Sequence, residues 1–246
     1  MIIKTQAIPL YWTDISNTSR IVTWLTAQYG KLSTGMKGDQ RKNSLFRGQY
    51  DFFATSELLF YDRAERGAHI AKECSMLHPR TMFRTDWRAC AAAGYISALF
   101  AKTTPRHAHE PGRFEFFEEM LSYAEEFGRV PEFLIWFDLH FAEYQGCKLQ
   151  LNDDERRVYR FSAEYGGVIK PDYAAANRIA AAPLAPQAVE LLKAWQQIDN
   201  PAEALQMKIN PACSAQIDRV LEKFVAYQFD LPPHVRCTAI ETLRAA

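Results

Sequence analysis

Over the first 80 residues, apolar and polar positions alternate in short runs, and the pattern predicts strands at 5–12, 19–29, 31–37, 50–61 and 68–77. Each run is rich in β-branched or aromatic residues, and turn-forming clusters separate them: TDISN, the single Gly30, GDQRKNS and DRAERG. Five short strands with little helix between them predict a small closed barrel, because closure removes the exposed edges and lets one face fill the interior. The size is that of an OB-fold; an SH3-like barrel would give a similar pattern.

From about Thr85 the period lengthens to that of a helix. Trp87, Cys90, Ala91, Gly94, Tyr95, Ala98 and Leu99 fall on one predicted face, ending at Thr103-Thr104-Pro105, and the small run Ala91-Ala92-Ala93-Gly94 predicts close approach by another helix. A second helix, about 114–127, sets Phe114, Phe117, Leu121 and Ala124 opposite a row of glutamates and stops at Gly128. A third opens at Pro131 and is apolar nearly all round, which predicts the central helix of a second domain. Residues 147–172 break the period. There the acidic turn Asn152-Asp153-Asp154-Glu155 leads into VYRFSAEYGGVIKP, read as two short strands about Gly166-Gly167. Helical patterning returns at about 186–198 and 214–229, with one last short helix after Pro232-Pro233. The predicted class is α+β: an N-terminal five-stranded OB-fold barrel (1–80), then a mainly helical domain (81–246) with a small β-hairpin insertion.

Composition narrows the function classes. The chain has 246 residues, 48% apolar and 24% charged, as ordinary folded domains do. No apolar run reaches the roughly 18 residues that cross a bilayer, and Lys4, Thr5 and Gln6 interrupt the start, so no membrane segment or secretory signal is expected. Five scattered cysteines with no C-x-x-C pair fit reduced thiols, and the expected location is the cytoplasm. Basic and acidic residues balance at 29 each, yet the first 80 residues hold 11 basic against 7 acidic ones. A neutral total therefore hides a basic barrel.

The chemistry concentrates in KLSTGMKGDQRKNSLFRG, residues 31–48. Lys31, Lys37, Arg41, Lys42 and Arg47 stand there against Asp39, with Tyr29, Phe46, Tyr50, Phe52 and Phe53 around them. Cations beside aromatic platforms hold single-stranded nucleic acid by phosphate neutralisation and base stacking. The bland alternative is a solvated turn beside core aromatics, since half the strand side chains must point inward. No Gly-Lys-Ser/Thr closes a phosphate-binding loop, His107-Ala108-His109-Glu110 has no partner metal motif, and no nucleophile elbow occurs. No catalytic residue, metal or cofactor is expected. Arg84, Arg88, Arg106, Arg113 and Arg129 are surface charge or a means of holding an acidic peptide.

The run AIPLYWTDISNTSRIVTWLTAQYGKL (7–32), Met36-Lys37-Gly38 with Arg41, Lys42 and Ser44, Phe137-Asp138-Leu139 with Gly146-Cys147, and Tyr159-Arg160-Phe161 before Gly166-Gly167 appear in an order that resembles the RecO family of bacterial recombinational-repair proteins. The resemblance implies an OB-fold, a helical domain and no enzymatic activity. It implies binding of single- and double-stranded DNA, strand annealing, contact with the C-terminal tail of SSB, and action with RecR to load RecA, in the cytoplasm at the nucleoid. By position, Lys37, Arg41, Lys42 and Arg47 become DNA contacts, with Arg20 and Lys31 as lesser ones.

Two departures accompany the resemblance. Many members carry a four-cysteine finger where this chain has Cys147 and then Gln150. A degenerate finger-like region without zinc is therefore expected at about 147–172. Trp136 stands where arginine is frequent, which weakens or moves the expected contact with the SSB tail. The other classes kept open are a non-enzymatic OB-fold adaptor for protein or RNA and, last, a metal-dependent hydrolase.

Overall fold

A computed structural model describes residues 1–63, 67–151 and 159–245. The acidic turn at 152–155 and the centre of the DRAERG turn lie outside the described residues. By packing, the chain divides into Met1–Glu125 and Glu126–Ala246.

In the first unit, β1 (Ile2–Ser16), β2 (Ser19–Thr26), β3 (Gly30–Met36), β4 (Thr55–Tyr61) and β5 (His69–His78) close a barrel in the order β1-β2-β3-β5-β4. This is the OB-like barrel expected. All neighbours are antiparallel except β3 and β5, which run parallel through Thr34–His69 and Gly35–Ile70. Residues 50–54, expected as the start of a strand, belong instead to the loop before β4.

A bulge in β1 fixes what faces the interior. Pro9 pairs with Trp24, but the next pair is Tyr11 with Thr23. The extra residue, Leu10, shifts the alternation by one. Before it, Ile3 and Ala7 enter the core; after it Trp12 packs on that core, with Val22, Trp24, Leu32 and Met36 from the neighbouring strands. Tyr11 faces outward at 38% exposure.

Helices α1 (Met82–Thr85), α2 (Trp87–Thr103) and α3 (Arg113–Phe127) follow. Asp86 caps α2 by accepting from the amides of Arg88 and Ala89. The buried residues of α2 are Ala89, Ala92, Ala93, Tyr95, Ile96, Ser97, Leu99 and Phe100, so Tyr95 and Leu99 of the expected face are buried and the rest of that face is not. Trp87 is exposed, and Gly94 has nothing within 4 Å of where a Cβ would stand, so the expected close helix approach at Gly94 does not occur.

In the second unit, α4 (Pro131–Tyr144) is the central helix, as its all-round apolarity predicted, and it contacts α6 (Pro186–Trp195), α7 (Pro201–Ala204), α8 (Pro211–Phe229) and α9 (Pro233–Arg244). The expected hairpin is β6 (Tyr159–Ser162) with β7 (Gly167–Ile169). A third strand, β8 (Ala182–Leu184), adds to the other side of β6, and α5 (Pro171–Ala176) lies between. The five cysteines are free. No helix among the described residues is long and apolar enough to cross a membrane.

Two histidines, His69 buried and His140 half-buried, make stability depend on pH. The Arg63 amide donates to Nδ1 of His69 at 3.1 Å, and the ring of His140 stacks on Trp136 with centroids 4.1 Å apart. Desolvation is the main cause that lowers both pKa values below 6.5; Asp62 only partly opposes it at His69, and the Trp136 carbonyl, then Asp199 and Glu143, only partly at His140. As pH falls through about 6.5 the unfolded chain takes up these protons before the folded one, so their contribution is complete above that pH and is lost below it. The thermal midpoint is expected to fall between about pH 7 and about pH 5. A His69→Gln/His140→Gln variant should fall less over that interval, and equal drops would remove the histidines as the cause.

Candidate nucleic-acid interface

The loop between β3 and β4 is a run of tight turns: the amides of Arg41, Ser44, Arg47 and Gln49 donate to the carbonyls of Gly38, Arg41, Ser44 and Phe46. Gly38 and Gly48, with φ of +70° and +73°, supply left-handed backbone. The loop is stapled to the β1–β2 turn, because the Gly38 amide donates to Oγ of Ser19 at 3.0 Å and the side chain of Gln40 donates to Asp14 at 2.8 Å. Phe46 and Tyr50 plug into the barrel core. This inward anchoring leaves the charged side chains of Lys37, Arg41, Lys42 and Arg47 exposed.

An open groove of about 580 Å³ forms beside the loop. Arg20, Arg41, Lys42, Arg47 and Arg84 line it against Asp39 and Asp51, with Trp12, Phe46 and Tyr50 among the apolar walls. Two of those cations are already paired. Arg20 lies 3.0 Å from the buried carboxylate of Asp39 and 3.3 Å from Asp14, and Arg84 lies 2.7 Å from Asp51. Among the described residues Arg41, Lys42 and Arg47 form no ion pair, so the groove presents uncompensated positive charge. Phe52, 40% exposed, stacks on Trp12 with centroids 3.6 Å apart, and the guanidinium of Arg20 lies 5.0 Å from the Trp12 ring centre. Burial, with Asp39 beside it, raises the pKa of the Tyr50 phenol, so it remains neutral at any physiological pH.

The six residues singled out in the sequence therefore separate. Arg41, Lys42 and Arg47 gather at the groove, Lys37 is exposed outside its lining, and Arg20 lines it as half of an ion pair. Lys31 is elsewhere: its Nζ donates to the Ala101 carbonyl at 2.6 Å, and burial is the main cause that lowers its pKa. Sequence reading takes Arg84 as surface charge or a peptide contact and does not place it here, since no local pattern ties it to a loop more than thirty residues away; it sets Asp39 against the basic residues without its pairing to Arg20, and it misses Asp51. Trp136 is a core residue, 1% exposed, whose indole N–H donates to the Ile198 carbonyl at 2.8 Å. The described residues contain no group of three histidines, cysteines or carboxylates able to hold a metal.

Comparison with known proteins identifies this architecture. Residues 1–80 match the model described as recombination protein O N terminal, and residues 84–236 match recombination protein O C terminal. The chain belongs to the recombination protein O family. Its similarity to RecO proteins extends over most of its length. It is 24% identical over 229 residues to the DNA repair protein RecO of Bacillus pumilus (strain SAFR-032), covering 91% of this chain and 88% of that one. It is 25% identical over 238 residues to the DNA repair protein RecO of Roseiflexus sp. (strain RS-1), covering 94% and 82%.

Proposed function

We propose that this chain is a non-enzymatic recombination mediator of DNA repair, which binds single- and double-stranded DNA through its barrel. The observation that carries this reading is the set Arg41, Lys42 and Arg47, unpaired with any carboxylate among the described residues, around an open groove walled by Trp12. Annealing needs no acid or base. It needs phosphates neutralised while base edges stay free, which cations on a rigid loop provide. Family membership and the names of the relatives support a place in DNA repair. The same reading includes work with RecR and the C-terminal tail of SSB in loading RecA, in the cytoplasm at the nucleoid.

Salt dependence tests the groove. Each phosphate neutralised on a single strand contributes a slope of about −0.7 in log K against log salt. Replacing Arg41, Lys42 and Arg47 together by alanine is expected to flatten the slope for an oligothymidylate by about 2. An unchanged slope would remove this loop from the interface. No binding by the parent chain at low salt would leave the adaptor reading in its place.

A further inference from the structure

Leu45 stands at the corner of the basic loop. Ser44–Arg47 is a hydrogen-bonded turn: the Arg47 amide donates to the Ser44 carbonyl at 3.3 Å, and the Phe46 amide donates to Oγ of Ser44 at 3.2 Å. The two central side chains of this turn part ways. Phe46 is 7% exposed in the barrel core, whereas Leu45 is 81% exposed, more than any other large apolar side chain described except that of Met1. Phe46 is thus the root that holds Leu45 outward. Cations bracket it in sequence and in space. Nη1 of Arg47 donates to the Lys42 carbonyl at 3.3 Å, which draws the two ends of the 42–47 segment together, and Arg41, Lys42 and Arg47 all line the open groove.

A leucine kept in water on an ordered turn forgoes the stabilisation that burial would give it. Its chemistry selects the ligand. A compact apolar tip without a π-face, set among phosphate-binding cations, fits a gap opened between two base pairs better than the face of a single base. Flat surface for single bases is supplied by Phe52, 40% exposed and stacked on Trp12 of the groove wall. We propose that Leu45 is an apolar wedge for duplex DNA: Arg41, Lys42 and Arg47 hold the backbone phosphates while Leu45 enters between two base pairs, unstacking one step and bending the helix axis. The inference rests on the reading of this loop as a DNA contact and deepens it. It gives the loop a means to distort a duplex where the steps unstack easily.

The test uses the full chain and a short duplex with 2-aminopurine in place of adenine at a central TA step, which unstacks readily. Fluorescence of 2-aminopurine, quenched by stacking, is expected to rise on binding, and energy transfer between dyes at the duplex ends should report a bend of about 20–90°. Leu45→Ala should abolish both signals while leaving the salt slope and the thermal midpoint unchanged, because it removes neither a charge nor a buried contact. Leu45→Met, close in volume, should keep both signals. If the parent binds the duplex with no rise in fluorescence and no bend, or if Leu45→Ala gives both signals in full, the wedge is overturned. The loop then still stands as a DNA contact provided that the triple alanine variant flattens the slope. Should Leu45→Ala instead release the chain from phosphatidylglycerol vesicles and leave the duplex signals intact, the leucine serves a membrane surface and the wedge falls. Failure of the parent to bind the duplex at low salt removes both readings together.

Discussion

Replacing Arg236 by alanine is expected to cost the second unit about 3–5 kcal/mol, the range for breaking a buried ion pair from one side. Arg236 of α9 is 2% exposed, and its Nε donates to Oδ2 of Asp138 in α4 at 2.6 Å. Its Nη1 reaches Oδ1 of Asp218 in α8 at 3.1 Å, and Arg244 holds the other oxygen of Asp218. One guanidinium therefore ties three helices. Without it, the fully buried carboxylate of Asp138 keeps its desolvation cost and loses its main counter-charge. Against a total stability of about 5–15 kcal/mol, such a loss is a large share. Urea unfolding monitored on the full chain measures it. The double variant Asp138→Leu/Arg236→Met should recover much of the loss, because a well-packed apolar pair incurs no charge burial. A loss of less than about 1 kcal/mol for Arg236→Ala would show that the network is solvated.

Gly30→Ala is expected to destabilise the barrel by roughly 3 kcal/mol, combining left-handed strain with overpacking. Gly30 has φ of +62°, and a Cβ there would stand 2.0 Å from the carbonyl oxygen of Ala108. The collision is with backbone, so no rotamer change relieves it. The segment after α2 follows β3 closely here: the His107 amide donates to the Lys31 carbonyl at 3.0 Å, and Arg106 bridges Lys31. Gly48→Ala is the control. Its φ is +73° but nothing lies within 4 Å of the added carbon, so it should cost only about 1 kcal/mol. Equal losses at the two positions, read from denaturant midpoints, would show that the contact with Ala108 contributes nothing.

Alternation and turn chemistry place all five barrel strands, because each is one half-buried face with a clear stop on either side. The same holds for α4, whose apolar positions leave it no solvated face. Strand β8 was not legible. It has three residues, contains Pro183, and sits in an alanine-rich stretch with no alternation; it exists because β6 offers it unpaired backbone groups. Arg80 was equally silent. It reads as linker charge, yet it is 2% exposed and donates to the Phe53 carbonyl at 2.7 Å and to Thr55 at 3.0 Å, with Glu118 nearby.

The sequence by itself determined the two-part α+β organisation, the barrel, the basic loop and its aromatic neighbours, since these follow from local period and composition. Tertiary structure decided which of those charges are available. Lys31 is used on a helix carbonyl, Arg20 on Asp39 and Arg84, which reaches the groove from α1, on Asp51, while Arg41, Lys42 and Arg47 remain open. It also decided, through one bulged residue at Leu10, that Trp12 and not Tyr11 faces the basic groove. Both outcomes have one physical reason. Side-chain parity and charge pairing depend on strand register and on partners remote in the chain, and local sequence carries neither.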